Sequence, residues 1–213
     1  MNMKKILFTL LAAVGCTAVS AQQYEINGTA PSGVLKVFLR NFESQQVDSI
    51  VVADGKFSFK GNAEGKIFGQ VSAENAKSLY IILDGNVTVD LAQGTAVGTP
   101  ENDGLTAWTA KLDAPVNTLR TLQQQAQSMR REGTATEEKM RELSAKYDSA
   151  MAQVVGGMKQ MCEENMQMKF PALYLGLFGT YLGNDFLVDL SEKQPAYFQV
   201  SLLHRLTMAP HHP

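Results

Sequence analysis

The apolar residues change their period near position 100, and this constrains the fold more than any other feature of the chain. From Gln22 to Gly98 they alternate with polar residues at period two and are interrupted at short intervals by turn residues, as in antiparallel strands. Beyond Asn102-Asp103 they recur at three and four, as in amphipathic helices. The pattern predicts a segregated α+β fold: an N-terminal antiparallel β-sandwich, then an α-helical hairpin and two shorter helices. The expected divisions are a signal peptide at 1–21, the sandwich at 22–100, a helical region at 101–207 and a disordered tail at 208–213.

Within the first part, seven to nine short strands are expected. Val34, Lys36, Phe38 and Arg40 would share one face and Leu35, Val37 and Leu39 the other, which suggests a strand buried on both sides or lying under a helix. The clearest hairpin is Ser49 to Ala53, Asp54-Gly55, then Lys56 to Lys60. Asp-Gly supplies the positive φ angles of a tight type I′ turn, and would turn Phe57 and Phe59 inward and Lys56, Ser58 and Lys60 to water. A second hairpin is expected from Leu79 to Leu83, through Asp84-Gly85-Asn86, to Val87, Val89 and Leu91, with these last three inward. Gly28, Gly61, Gly65 and Gly69 are expected to punctuate the remainder.

In the second part, Asn102-Asp103 would cap a helix with the stripe Leu105, Trp108, Leu112. Pro115 should break or kink it, since an interior proline costs about 3 kcal/mol or more. The stripe resumes at Leu119, Leu122, Ala126 and Met129, and Gly133 ends it. Gln123 to Gln127 is its polar side. Thr134 with Glu137 reads as a capping box opening a long helix that carries Met140, Leu143, Tyr147, Met151, Val154, Met158 and Met161. Pro171 should open a shorter helix through Leu182. Gly183-Asn184-Asp185 should break it, and Ser191 should start a last helix reaching about Thr207.

Met1 to Ala21 has the layout of a cleavable export signal: Lys4 and Lys5, an apolar run from Ile6 to Val14, and Val19-Ser20-Ala21 before Gln22. Export to the periplasm with cleavage near Ala21 is expected. The alternative is a lipoprotein anchored through Cys16, in which Ala13 replaces the usual leucine. Removing the two leader lysines from 19 basic residues leaves 17 against 21 acidic, a net charge of −4 rather than −2. This argues against nucleic acid and anionic membrane as partners. No apolar run approaches the roughly 20 residues of a transmembrane helix.

With Cys16 in the leader, Cys162 is the one cysteine left, so neither an internal disulfide nor a Cys-x-x-Cys pair can form. His204, His211 and His212 all fall in the last ten residues, so the body of the fold has no histidine for a triad or zinc site.

The residues Tyr24-x-Ile26-x-Gly28, Val37-x-Leu39, Asp48-Ser49, Gly55-Lys56-Phe57-x-Phe59-x-Gly61, Asp84-Gly85 and Gly98-Thr99 with Asn102-Asp103 occur in this order over 22 to about 112. In order and spacing they resemble the domain of unknown function 4369, a β-rich module at the N-terminus of exported thioredoxin-like proteins of the TlpA, ResA and AhpC type. The resemblance implies an envelope protein whose helical stretch leads toward a redox domain. That domain's paired cysteines have no counterpart here, so no catalytic residue carries over.

Other candidate sites have plainer explanations. Met158, Met161, Cys162, Met166 and Met168 include soft ligands suited to Cu(I), but thioethers on a helical stripe also fill interfaces. Cys162 reads as a small buried hydrophobe rather than a bridge to another chain. His211-His212 would chelate only weakly on a free end. Asp84 and Asp90 suggest a carboxylate pair, yet Asp84 suits the turn and Asp90 an outward strand position. Phe42, Phe68 and Tyr80 are the aromatic candidates for a ligand cleft. No catalytic, cofactor-binding or metal residues and no cofactor are assigned. The expected function is a non-enzymatic envelope module that binds a protein partner or a small ligand. The alternatives are the remnant of a periplasmic thioredoxin-like oxidoreductase lacking its catalytic domain, and a periplasmic ligand-binding sandwich.

Overall fold

The structure, a computed structural model, describes residues 23–193. Eight strands precede four helices: β1 Gln23–Thr29, β2 Lys36–Asn41, β3 Val47–Val51, β4 Lys56–Asn62, β5 Phe68–Ala73, β6 Leu79–Ile82, β7 Gly85–Asp90 and β8 Thr95–Val97, then α1 Pro100–Arg131, α2 Glu137–Glu164, α3 Phe170–Phe178 and α4 Asn184–Lys193. A 3₁₀ turn, Gly179–Tyr181, continues α3. The segregated α+β layout expected from the change of period is what the chain forms.

The strands make two four-stranded sheets, ordered β4-β1-β7-β8 and β3-β2-β5-β6. Their inner faces share a core of Tyr24, Ile26, Val37, Leu39, Phe57, Val71, Ile81 and Val87, with their neighbours. Both expected hairpins turn where they should, but their strands then part. Asp54 and Gly55 take φ of 52° and 71°, as a type I′ turn requires, and Ala53 and Lys56 exchange backbone hydrogen bonds at 3.0 and 2.9 Å. Beyond the turn, β3 pairs with β2 and β4 with β1, in opposite sheets. The Asp84-Gly85 corner likewise carries the chain from β6 in one sheet to β7 in the other, where β7 runs parallel to β1. The sheets are therefore not wholly antiparallel. Burial explains the outcome: Phe57, Phe59, Val87, Val89 and Leu91 all reach the shared core only if the chain crosses it.

The strand buried on two faces is not the expected one. In β2 only Val37, Leu39 and Asn41 are buried, and Leu35 lies 79% exposed. In β6 and its continuation, Ile81 and Leu83 enter the sandwich while Ile82, between them, faces the helices. Ile82 stands directly opposite Phe68 of β5, so this cross-strand pair is the floor on which the helices pack. Gly28, Gly61 and Gly69 lie inside strands rather than between them. A Cβ on Gly28 would meet the Phe57 ring at 2.1 Å, and one on Gly61 the Tyr24 hydroxyl at 2.5 Å. Their absent side chains make room for cross-strand rings.

The helix signals were displaced by a few residues. Thr99, not Asn102, is the cap of α1 and accepts from the Asn102 N–H, with Pro100 at the first helical position. Thr136, not Thr134, caps α2. The α1 helix runs through Pro115 without a break. Its apolar stripe continues on both sides of the proline as Leu112, Val116 and Leu119 packed in one cluster, which offsets the missing hydrogen bond. Helices α1 and α2 pack as the expected hairpin. The helical run breaks at Gly183, φ 83°, as expected, but α4 then starts at Asn184 rather than at Ser191, which lies within it. The rest of the expected last helix, the His211-His212 pair, Cys16 and the cleavage site at Ala21 fall outside the described residues. Among the described residues, no helix is long and apolar enough to cross a membrane.

Candidate functional site

One buried polar contact joins the sandwich to the helices, and a second, nearer the surface, joins α1 to α3. Asn102, fully buried in the first turn of α1, reaches the open edge of β6. Its Oδ1 accepts from the Ile82 N–H at 2.9 Å and its Nδ2 donates to the Ile82 carbonyl at 2.9 Å. One side chain thus does for Ile82 what a neighbouring strand would do. The other N–H of Nδ2 is shared between Thr99 Oγ1 at 2.9 Å and Asp84 Oδ1 at 3.1 Å, and the Thr99 hydroxyl donates to the same Asp84 oxygen at 2.9 Å. Burial raises the Asp84 pKa, against opposing effects from Thr99, Lys169 and Asn102. The second contact is Glu101, whose carboxylate accepts from the Lys169 N–H at 2.9 Å and the Phe170 N–H at 3.0 Å. It caps α3, where a negative charge also complements the helix dipole.

Held this way, α1 and α3 leave a cleft of about 250 Å³ against the edges of β6 and β8. Leu79, Leu105, Leu112, Met158, Leu173 and Leu177 supply much of its wall. Three hydroxyls of the lining are engaged within the wall. Thr106 exchanges hydrogen bonds with the backbone of Ala96. The hydroxyls of Thr109 and Tyr174 lie 2.5 Å apart, and burial raises the Tyr174 pKa despite the Thr109 hydrogen bond. A second chamber of about 230 Å³ adjoins the first and shares Val116, Arg120, Val154, Met158 and Phe178 with it.

The residues singled out in the sequence are placed as follows. Of the aromatic candidates, Tyr80 lines the cleft and meets Phe42 with ring centroids 5.8 Å apart and planes tilted by 44°, while Phe68 is fully buried beneath the helices. Met158, Met161 and Cys162 are buried in the helical core, and Met166 and Met168 are half-buried. Burial, with a smaller effect of Glu163, pushes the Cys162 thiol up to about 12. Asp84 and Asp90 stand at opposite ends of β7, about 20 Å apart at the usual rise. Asp90 stands on the outward face of β7, half-buried, and its Oδ1 accepts from the Ala92 and Gln93 N–H groups, both at 2.9 Å. They do not form a catalytic pair. Among the described residues, no cluster of three or more His, Cys, Asp or Glu is placed to hold a metal ion. Sequence reading missed Thr109, Arg120 and Tyr174. Their signal was weak: polar residues beside the apolar stripe of α1, and one tyrosine in the otherwise apolar run of α3.

These features define a β-sandwich domain with a helical arm and a ligand-sized cleft where the two meet. Residues 24–105 match the model of a family described as a domain of unknown function (DUF4369). The match ends inside α1, just after Asn102, and the cleft therefore has one wall from the matched residues and one from the helices beyond them. No curated protein and no solved structure matches the chain significantly.

Proposed function

We propose that the chain is a non-enzymatic binding module of the cell envelope and that it binds an apolar ligand in this cleft. One observation carries the reading: the cleft is apolar, ligand-sized and open, and the Thr106, Thr109 and Tyr174 hydroxyls at its wall are already hydrogen-bonded within the wall. Pockets of that kind hold small molecules by burial and a few orienting polar groups. The state of the thiol supports the non-enzymatic part. A Cys162 thiol pushed up to about 12 and fully buried is protonated at neutral pH, whereas the thiolate is the nucleophile in redox chemistry. The leader sequence supports the envelope, and the resemblance to modules preceding thioredoxin-like domains supports a place beside thiol-redox proteins.

The test uses Nile red, a neutral apolar dye, with the full chain. Binding should be saturable and should be lost in Leu177→Asp, which places a charge on the cleft wall at a side chain already 42% exposed. Unchanged circular dichroism would show that the variant folds. Equal dye binding by both proteins would overturn the site. Insulin reduction by the chain should be blank, and turnover dependent on Cys162 would overturn the non-enzymatic assignment.

A further inference from the structure

The two chambers form one groove along α1, from Leu105 to Gln123, about 27 Å at the usual rise per residue. Its charged residues are few. Arg120 lines both chambers and so stands at the waist between them. Its guanidinium donates to Asn117 Oδ1 at 3.2 Å, and among the described residues no carboxylate lies within ion-pair distance of it. Asp113, exposed about two helical turns away, lines the first chamber only. The remaining hydroxyls of that chamber's wall include Thr106, bonded to Ala96, and the Thr109–Tyr174 pair. The groove therefore offers apolar surface on either side of one cation whose hydrogen-bonding capacity is mostly unused, since a guanidinium carries five N–H donors.

Resting on the binding reading above, we propose that the ligand is an apolar anion of the fatty-carboxylate kind, its charged group on Arg120 and its chain along the apolar wall of the first chamber. A carboxylate matches the fork of a guanidinium in two parallel hydrogen bonds. Asp113 sets the polarity: it repels the anion from the middle of the first chamber and leaves the waist as the favoured position. A cationic amphiphile would meet Arg120 wherever its head group entered the waist.

The experiment compares decanoate, decanol and decylammonium by calorimetry on the full chain at low salt. Decanoate should bind about tenfold more tightly than decanol, the value of one charge-assisted contact at a partly exposed site. Decylammonium should bind more weakly than decanoate. Arg120→Ala should erase the preference for decanoate over decanol, and Arg120→Lys should keep part of it. Arg131→Ala, which removes an exposed cation in the last turn of α1 away from the cleft, should leave the preference intact. Equal binding of decanoate and decanol, or a preference that survives Arg120→Ala, would overturn the anion and leave the apolar site standing. Failure of all three to bind would overturn both. A groove filled by a second copy, seen as a dimer that excludes decanoate, or by the chain's own residues beyond 193, seen as a monomer that excludes it, would also overturn the proposal.

Discussion

The core between the two sheets and the core beneath the helices share a sheet but are filled differently. Between the sheets the side chains are mainly β-branched and aromatic, Ile26, Val37, Val71, Val87 and Phe57 among them, and glycines at 28 and 61 admit rings across the strands. Such residues have few rotamers and fit one arrangement. Beneath the helices the filling is Leu105, Leu112, Met158, Met161 and Leu173, with thioethers and leucines that repack more readily. The cleft lies on the second core, at Leu112, Val154, Met158 and Leu173. A rigid sandwich thus supports one side of a site whose other side is adaptable.

The variant with the largest expected effect attacks the joint between the two cores. Asn102→Ala orphans the Ile82 N–H and carbonyl together, at about 1–3 kcal/mol each. With the lost bonds to Thr99 and Asp84, the expected destabilisation is about 4 kcal/mol. Trp108 is the one tryptophan of the chain and sits in the helical core, so its fluorescence reports that core, while far-ultraviolet circular dichroism reports both. Chemical denaturation should show both signals moving together if Asn102 couples the cores. Loss of the fluorescence transition alone would show that the sandwich folds independently of this joint.

Next in size is a matched pair of truncations. Ile26→Ala leaves a closed void in the sandwich, where Ile26 is fully buried, and should cost about 3–4 kcal/mol. Met158→Ala removes a side chain that is 1% exposed yet lines both chambers of the cleft. The space it leaves opens into the groove rather than forming a sealed cavity, so the cost should lie near about 2 kcal/mol. Equal losses would show that the helical core is as rigid as the sandwich.

Much of the architecture was legible because it depends on local chemistry. The inward set Phe57, Phe59, Val87, Val89 and Leu91 follows from period two alone, and all five are buried. Where each strand went after its turn was not legible. Asp54-Gly55 specifies the turn but not which sheet the next strand joins, and that depends on partners distant in sequence. Pro115 misled for the same reason, because a local cost was offset by tertiary packing of Val116 and Leu119. Asn102 was read as a cap, which is its usual role at a helix start. Its bond to Ile82, 20 residues earlier, has no local signal. The cleft was the least legible part, since Thr109 and Tyr174 meet across 65 residues.

A pair of glycine substitutions sharpens the contrast with smaller effects. A Cβ on Gly28 would lie 2.1 Å from Phe57 Cζ, and one on Gly104 would lie 2.5 Å from a ring carbon of Phe170. Both rings are buried. Gly28→Ala should cost about 2–3 kcal/mol through overpacking. Gly104 lies in α1, where alanine recovers about 1 kcal/mol of helix propensity, so Gly104→Ala should cost only about 1 kcal/mol. Thermal melts of the two variants give the ratio directly, and a larger loss at Gly104 would reverse the assignment of rigid and adaptable sides.

The smallest expected effect tests the same joint through its charge. Burial raises the Asp84 pKa above 3.8, so the folded chain holds this proton more tightly than the unfolded one. For a carboxyl shifted upward, the stabilising contribution is fully present below the unfolded pKa and is lost as pH rises through the raised folded value. Asp84→Asn removes the titration but keeps an oxygen that can accept from Thr99 and Asn102. The wild type should therefore gain stability relative to Asp84→Asn as pH falls from neutral toward 4, while at neutral pH the variant should be at least as stable. Denaturation midpoints measured at several pH values check this. If Asp84 bridges both cores, the pH-dependent difference should appear equally in Trp108 fluorescence and in circular dichroism. A difference that does not vary with pH would mean that the carboxyl is hydrated at the β6–β7 corner, and that Asn102 joins the cores without it.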